Sequence, residues 1–333
     1  MSRRLALFAL VLGFAASIAE LGWPFARAAE PTQRVVRVGL VSADSPSTVQ
    51  HLVSVFLERL RALGWVEGQN LIFEPRYAEG SFDRLPALMA EVVGQKVDVL
   101  FTWTTPGAIA AKNATRTTPI VALGLGDPVR AGLVESLSRP GGNLTGTSLG
   151  ISEGMMGKLL ELLQEMVPQL STVAVIANPD NPIERVEARD IEAIAPKRRL
   201  KVQIIEVREA EALDAAFQQA ARRAQAVLVV PNPITMMNRT RITALAAKHG
   251  LPAMYGLREF VDAGGLMAYG PDTAAMFRQA AEHVDKILRG AQPGDLPIEE
   301  PTRYLLVVNL KTARALGLTI PQSILLQANE VIR

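Results

Sequence analysis

The chain of 333 residues carries three histidines and no cysteine, so its means for metal or nucleophile chemistry are few. His51, His249 and His283 fall in three separate helical patterns, and none belongs to a recognisable metal-ligand motif. No Gly-x-Ser-x-Gly elbow, no P-loop and no Gly-x-Gly-x-x-Gly fingerprint after the first strand is read. Gly124-Leu125-Gly126 lacks the third glycine. Glu299-Glu300 sits in a proline-flanked linker and reads as a solvated face, and Pro140-Gly141-Gly142-Asn143 reads as a turn. No catalytic residue, metal ligand or cofactor is assigned, and the chain is not read as an enzyme.

What remains is recognition chemistry, and it clusters where apolar runs end. Val35 to Val41 runs into Ser42, Asp44 and Ser45, and Val97 to Trp103 into Trp103, Thr104 and Thr105. Ile120 to Leu125 is followed by Gly126 and Asp127. Asn178, Asn232 and Tyr255 hold the equivalent places in the second half. These eleven residues are the expected ligand-binding set. Helix amino termini behind the loops offer N–H groups to a carboxylate. Asp44 or Asp127 suits an ammonium group, and Trp103 and Tyr255 suit stacking on an apolar portion. Ser45, Thr105 and Asp127 serve equally well as helix caps, and both roles can hold together. The combination points to a small amino-acid-like ligand with an aromatic or branched side chain.

The elements that must position these residues alternate strand and helix. The apolar runs read as buried parallel strands. Between the first two lies a helix with Val49, Leu52, Val53, Phe56, Leu60 and Leu63 on one face. Val129 to Leu137 is expected as a short helix and Thr235 to Lys248 as another. The stretch Asp83…VDVLFTWTTP matches Asp214…AVLVVPNP in element order and nearly in spacing, a duplicated α/β unit. The fold class expected is α/β, two lobes with parallel sheets. Residues 34–145 are assigned to lobe 1, completed by about 271–295, and 146–270 to lobe 2. A last strand and helix within 302–333 leave their lobe open. The chain therefore crosses between lobes more than once, which makes a hinge with one soft mode.

Residues 1–28 stand outside this plan. Arg3 and Arg4, the apolar run Leu5 to Ile18 and the small-x-small Ala26-Arg27-Ala28 describe a secretory signal peptide. The run falls short of the roughly 20 residues of a comfortable membrane span. The whole chain has a formal net charge of +2. The leader takes Arg3, Arg4, Arg27 and Glu20 with it, so the remainder is formally neutral and has no basic stripe for nucleic acid. Without cysteine there is neither a disulfide nor a lipid-acylated residue. A monomer, free in a bacterial periplasm and not inserted in a membrane, is expected.

Four stretches carry a resemblance. They are LGWVEGQNLIFEPRYAEGSFDRLPALMAEVV at 63–93, GDPVRAGLVESLSRPGGNLTGTS at 126–148, GGLMAYGPD at 264–272, and the segment 284–332 that begins VDKILRGAQPGDLPIEEPTRYLLVVNL. Together they resemble the tryptophan/tyrosine-binding group of bacterial ABC-transporter substrate-binding proteins, over essentially the whole chain after the leader. The resemblance implies a type 1 periplasmic-binding fold, two Rossmann-like lobes closing over a small molecule. It also implies an inner-membrane ABC permease as partner. Two other outputs fit the same cleft: feeding a membrane sensor, or catalysis on a bound small acid. A cytoplasmic regulator's effector domain fits poorly, because a leader stands where its helix-turn-helix would be.

Overall fold

The computed structural model describes residues 34–150 and 153–333; the leader expected over 1–28 lies outside the described residues. Lobe 1 is built on β1 (Val36–Ser42), β2 (Leu71–Tyr77), β3 (Val99–Trp103), β4 (Ile120–Leu125) and β5 (Leu144–Ser148). They form an all-parallel sheet in the order β2-β1-β3-β4-β5. Every residue of β3 is buried. A strand covered on both faces has no polar side to show, which is why it reads as a continuous apolar run. Helices α1 (Pro46–Ala62), α2 (Leu85–Gly94) and α3 (Thr105–Ala114) make the crossovers. Phe56 of α1 stacks on Phe101 of β3 with ring centroids 4.4 Å apart.

Val129 to Leu137 is not a helix. Ala131 N–H reaches Asp127 O, closing one turn, and then Gly132 takes φ +68° and ends it. Leu133 and Val134 turn inward under the sheet instead. Here burial of two apolar side chains overrode a short helical pattern.

After β5 the chain enters lobe 2 through α4 (Glu153–Met166). Its strands are β6 (Thr172–Ala177), β7 (Lys201–Glu206), β8 (Ala226–Val229), β9 (Ala253–Tyr255), β10 (Met267–Pro271), β11 (Tyr304–Asn309) and β12 (Glu330–Ile332). The order is β12-β11-β10-β9-β8-β6-β7, parallel except where β11 runs against β10. The run β7-β6-β8-β9-β10 repeats the lobe 1 order strand for strand, so the internal duplication is structural. The final strands join this second sheet. Crossovers are α5 (Pro182–Ile194), α6 (Leu213–Arg223), and the pair α7 (Pro233–Met237) and α8 (Arg239–Lys248). The single helix expected over 235–248 is broken at Asn238, whose Nδ2 donates back to Ile234 O at 2.9 Å.

The two lobes exchange a helix. α4 follows lobe 1's last strand but packs in lobe 2, with Leu159, Leu160 and Leu163 against Val173 and Val175. α10 (Thr273–Leu288) follows β10 and packs on lobe 1, with Met276, Phe277 and Val284 in the same core as Phe56 and Phe101. A third passage returns along Ile298–Glu299. Glu299 pairs its backbone with Gly146 and Ser148 beside β5 before the chain enters β11. At this hinge the Tyr304 hydroxyl donates to Leu149 O and Gly150 O, both at 3.2 Å.

Candidate functional site

In both lobes the strand order reverses between the first and third strands of the unit, and open α/β sheets bind ligands beyond the carboxyl ends at such a point. The two reversal points face each other across a cavity of about 140 Å3. Lobe 1 supplies Asp44 after β1, Trp103 and Thr104 at the end of β3, and Leu123 and Gly124 in β4. Lobe 2 supplies Leu228 to Pro233 around the end of β8, Gly256 and Leu257 after β9, Glu187 of α5 and Glu259. The exchanged helices close the walls with Met155, Met156 and Leu159 of α4 and Thr273, Met276 and Phe277 of α10.

The cavity is apolar with acidic points. Trp103 lies against Phe277 (ring centroids 5.2 Å) and edge-on to Phe101 (5.7 Å), the end of an aromatic row that starts at Phe56. Its indole N–H donates to Asp44 Oδ2 at 2.6 Å. The Ser42 hydroxyl donates to the same oxygen at 3.1 Å and accepts the Asp44 N–H at 3.0 Å. Burial pushes the Asp44 carboxyl up from its ordinary value, against the Trp103 and Ser42 hydrogen bonds, which favour the charged form. Thr104 stands at φ +68°, a region that favours glycine, with its side chain accepting Gly107 N–H at the start of α3. Such a backbone persists only where the surroundings over-determine it.

The lobe 2 wall depends on Glu184. Its carboxylate accepts Asn178 N–H at 2.6 Å, Asn181 Nδ2 at 2.8 Å and Asn232 Nδ2 at 3.0 Å. The Asn232 side-chain Oδ1 in turn caps α7 by accepting Thr235 N–H at 2.8 Å. One buried carboxylate thus ties the loop after β6 to the loop after β8. Burial lifts Glu184 to about 7, opposed by those three donors. Glu187, one turn on, is 4% exposed and lifted to about 8, by burial first and then by Glu184 and Asp190. It accepts no hydrogen bond among the described residues.

Of the residues singled out from sequence, Asp44, Trp103, Thr104 and Asn232 line the cavity and the rest do not. Ser42 lies behind Asp44 as its partner. The Ser45 hydroxyl is engaged with Ser47 and Thr48 within α1. Thr105 Oγ1 accepts Gly126 N–H at 3.1 Å, which uses both residues to join the loops after β3 and β4. Asp127 is exposed and caps a turn by accepting Arg130 N–H at 2.9 Å. Asn178 serves Glu184 and the Asp180 N–H. Tyr255 is core: it stacks on Phe260 at 4.8 Å, its hydroxyl has no partner among the described residues, and burial raises its pKa. The reading of Tyr255 as a stacking platform and of Asp127 as an ammonium partner is corrected accordingly.

Glu187, Glu259 and Phe277 were missed. Glu187 had a signal. It falls at stripe spacing with Ile183, Ile191 and Ile194, so a charge stands where α5 is otherwise apolar. The Gly-x-Ser-x-Gly spacing, read as absent, is present at Gly146-Thr147-Ser148-Leu149-Gly150. Ser148, however, ends the edge strand β5, is buried, and accepts Gly150 N–H at 3.2 Å; among the described residues no helix starts at it and no histidine bonds it. Among the described residues no group of His, Cys, Asp and Glu could hold a metal, and no helix is long and apolar enough to cross a membrane.

The lobes touch at the rim of the cavity. A Cβ built on Gly126 would stand 2.6 Å from Ile183 Cδ1, and one on Gly80 would stand 3.2 Å from Met237 Sδ. Thr273 at the start of α10 donates to Glu259 Oε1 at 2.9 Å.

A family model of ABC transporter substrate-binding proteins matches residues 38–332. The chain belongs to this family. The chain is 26% identical over 263 residues to a curated tyrosine-binding protein of Clostridioides difficile strain R20291, covering 79% of this chain and 75% of that one. A crystal structure of a conserved domain protein from Vibrio cholerae superposes with TM-score 0.84 at 27% identity, over 90% of this chain and all of that one. A domain from Streptococcus pneumonia in complex with L-Trp superposes with TM-score 0.82 at 22% identity, with the same coverage. A ligand-free, open substrate-binding protein from Clostridium difficile gives TM-score 0.65 at 24% identity, over 90% of this chain and 99% of that one. These neighbours share the two-lobed α/β fold of type 1 periplasmic-binding proteins.

Proposed function

We propose that this ABC-family substrate-binding protein serves an importer. It is exported by cleavage near Ala29, works as a monomer in the periplasm, closes its lobes over a small molecule and presents it to an inner-membrane permease. The ligand is an aromatic amino acid or a molecule of that shape. The observation that carries this reading is an apolar cavity walled by both lobes, in which Trp103 and Phe277 lie side by side and carboxyls mark the polar points. An apolar cavity of about 150 Å3 holds a benzene ring, and this one is of like size, about 140 Å3. The tyrosine-binding relative and the tryptophan complex support the ligand class, and family membership supports the transport role.

Ligand touches both lobes only when they are closed, so it stabilises that form. Titration calorimetry with L-tyrosine and L-tryptophan, beside mass spectrometry of small molecules released from the purified protein, tests the ligand class. Binding of at least one aromatic amino acid is expected. Native protein that binds none of them, and releases only unrelated molecules, overturns the ligand reading. Recovery in the osmotic-shock fraction with an amino terminus at or near Ala29 is the expected localisation result; exported protein that retains Met1 overturns it.

A further inference from the structure

We infer that the cavity recognises its ligand through a protonated amine received by Glu187, and that a ligand carboxylate has no charged counterpart there, so an arylalkylamine binds at least as tightly as the corresponding amino acid. This rests on the interlobe cavity being the binding site, as proposed above.

Among the described residues, three ionisable side chains line the cavity, Asp44, Glu187 and Glu259, all of them acids, with no lysine, arginine or histidine beside them. Two of the three are already engaged. Asp44 Oδ2 holds Trp103 and Ser42. Glu259 Oε1 holds Thr273, leaving Oε2 buried without a partner. Glu187 is unengaged. It is 4% exposed and accepts no hydrogen bond among the described residues, and the acids Glu184 and Asp190 of its own helix act on it. The cation nearest in effect is Arg239 of α8, which acts on Asp44, but it donates to Met236 O at 3.0 Å and does not line the cavity. The Thr104 side chain already accepts the Gly107 N–H of α3.

A buried carboxyl without partners is costly, and an ammonium beside it removes that cost. A ligand carboxylate meets no cation among the described lining residues, and its charge would oppose ionisation of the acids beside it. The apolar walls take the rest of the ligand, with the ring toward Trp103 and Phe277.

Paired probes that share an apolar body separate the possibilities: phenethylamine with 3-phenylpropionate, tryptamine with indole-3-propionate, and the aliphatic pair isoamylamine with 4-methylpentanoate, together with L-tryptophan. Each is titrated into the intact protein and into Glu187→Gln, with Glu259→Gln as a second variant and circular dichroism as the check on folding. In each pair that binds, the amine is expected to bind at least tenfold tighter than the acid, and tryptamine at least as tightly as L-tryptophan. Glu187→Gln is expected to weaken the amines tenfold or more and to narrow the gap to the acids. An acid that binds as well as its amine, or amine affinity unchanged in a folded Glu187→Gln, overturns the inference while leaving aromatic binding intact. Discrimination confined to the aliphatic pair upholds the role of Glu187 and overturns the aromatic ligand class. Binding of no probe at all overturns both.

Discussion

Trp103 and Asp44 form one unit: the indole N–H points along the cavity wall and donates to Asp44 Oδ2 at 2.6 Å. The ring packs against Phe101 and Phe277 in the lobe 1 core, so removing it is not a change confined to a loop. Trp103→Ala is expected to destabilise the protein by about 3–5 kcal/mol, the range for buried large aromatics. Trp103→Phe keeps most of the packing and loses the hydrogen bond to a carboxylate, a loss on the order of 1.5–3 kcal/mol. Urea unfolding midpoints at constant slope measure both; equal midpoints for Trp103→Phe and the native protein would show that the bond contributes nothing.

The raised carboxyls set a pH dependence. Glu184 and Glu187 have folded values of about 7 and about 8 against an ordinary 4.5. The folded state therefore holds protons that the unfolded chain has released, and stability falls as pH rises where that is so. Their contribution is full below about 4.5 and lost by the time pH passes through about 8. Asp44 is shifted in the same direction by burial. Melting temperature should decline from pH 5 to pH 8.5, and Glu187→Gln should flatten the slope. A melting temperature that rises over this interval would contradict the assignment.

Gly126 meets Ile183 only across the rim. Gly126→Ala places a methyl group in that contact, an overpacking that costs roughly 1–3 kcal/mol, and does so in the closed form alone. Ligand affinity should fall by about fivefold to a hundredfold while the unfolding of ligand-free protein changes little. Adding Ile183→Ala should restore most of the affinity. Weakened binding that Ile183→Ala does not rescue would place the damage within lobe 1.

Asp127→Ala should leave affinity within twofold of native, because the side chain is exposed and caps Arg130 N–H at a turn. Loss of such a cap costs about 0.5–2 kcal/mol of stability. A tenfold loss of binding on calorimetry would return Asp127 to the site.

The strands were legible in the sequence because burial on both faces removes polar alternation, as in the wholly buried β3. The duplication was legible for the same reason, in the like runs that became β3 and β8. Caps and ligand contacts were not separable, since both draw on Ser, Thr, Asp and Asn at strand ends; only packing shows that Thr105 is used up by Gly126 and that Asn178 is used up by Glu184. Tyr255 misled because β9 is short and its end turns back into core, where Phe260 covers the ring. Phe277 and the methionines of α4 could not be placed from local pattern, because each belongs to a helix that packs in the lobe opposite its preceding strand.

That exchange of helices also fixes an order in time. Lobe 1 begins with β1 but lacks one wall of its core until α10 arrives. Arg59 must wait for Glu282 and Trp65 for Asp285, partners 223 and 220 residues later. Lobe 2, begun second, lacks its last strands until residues 304–332 are available. Contacts of such long sequence separation form slowly. An emerging chain has no half that can finish early: lobe 1 waits for α10 and lobe 2 for β11 and β12.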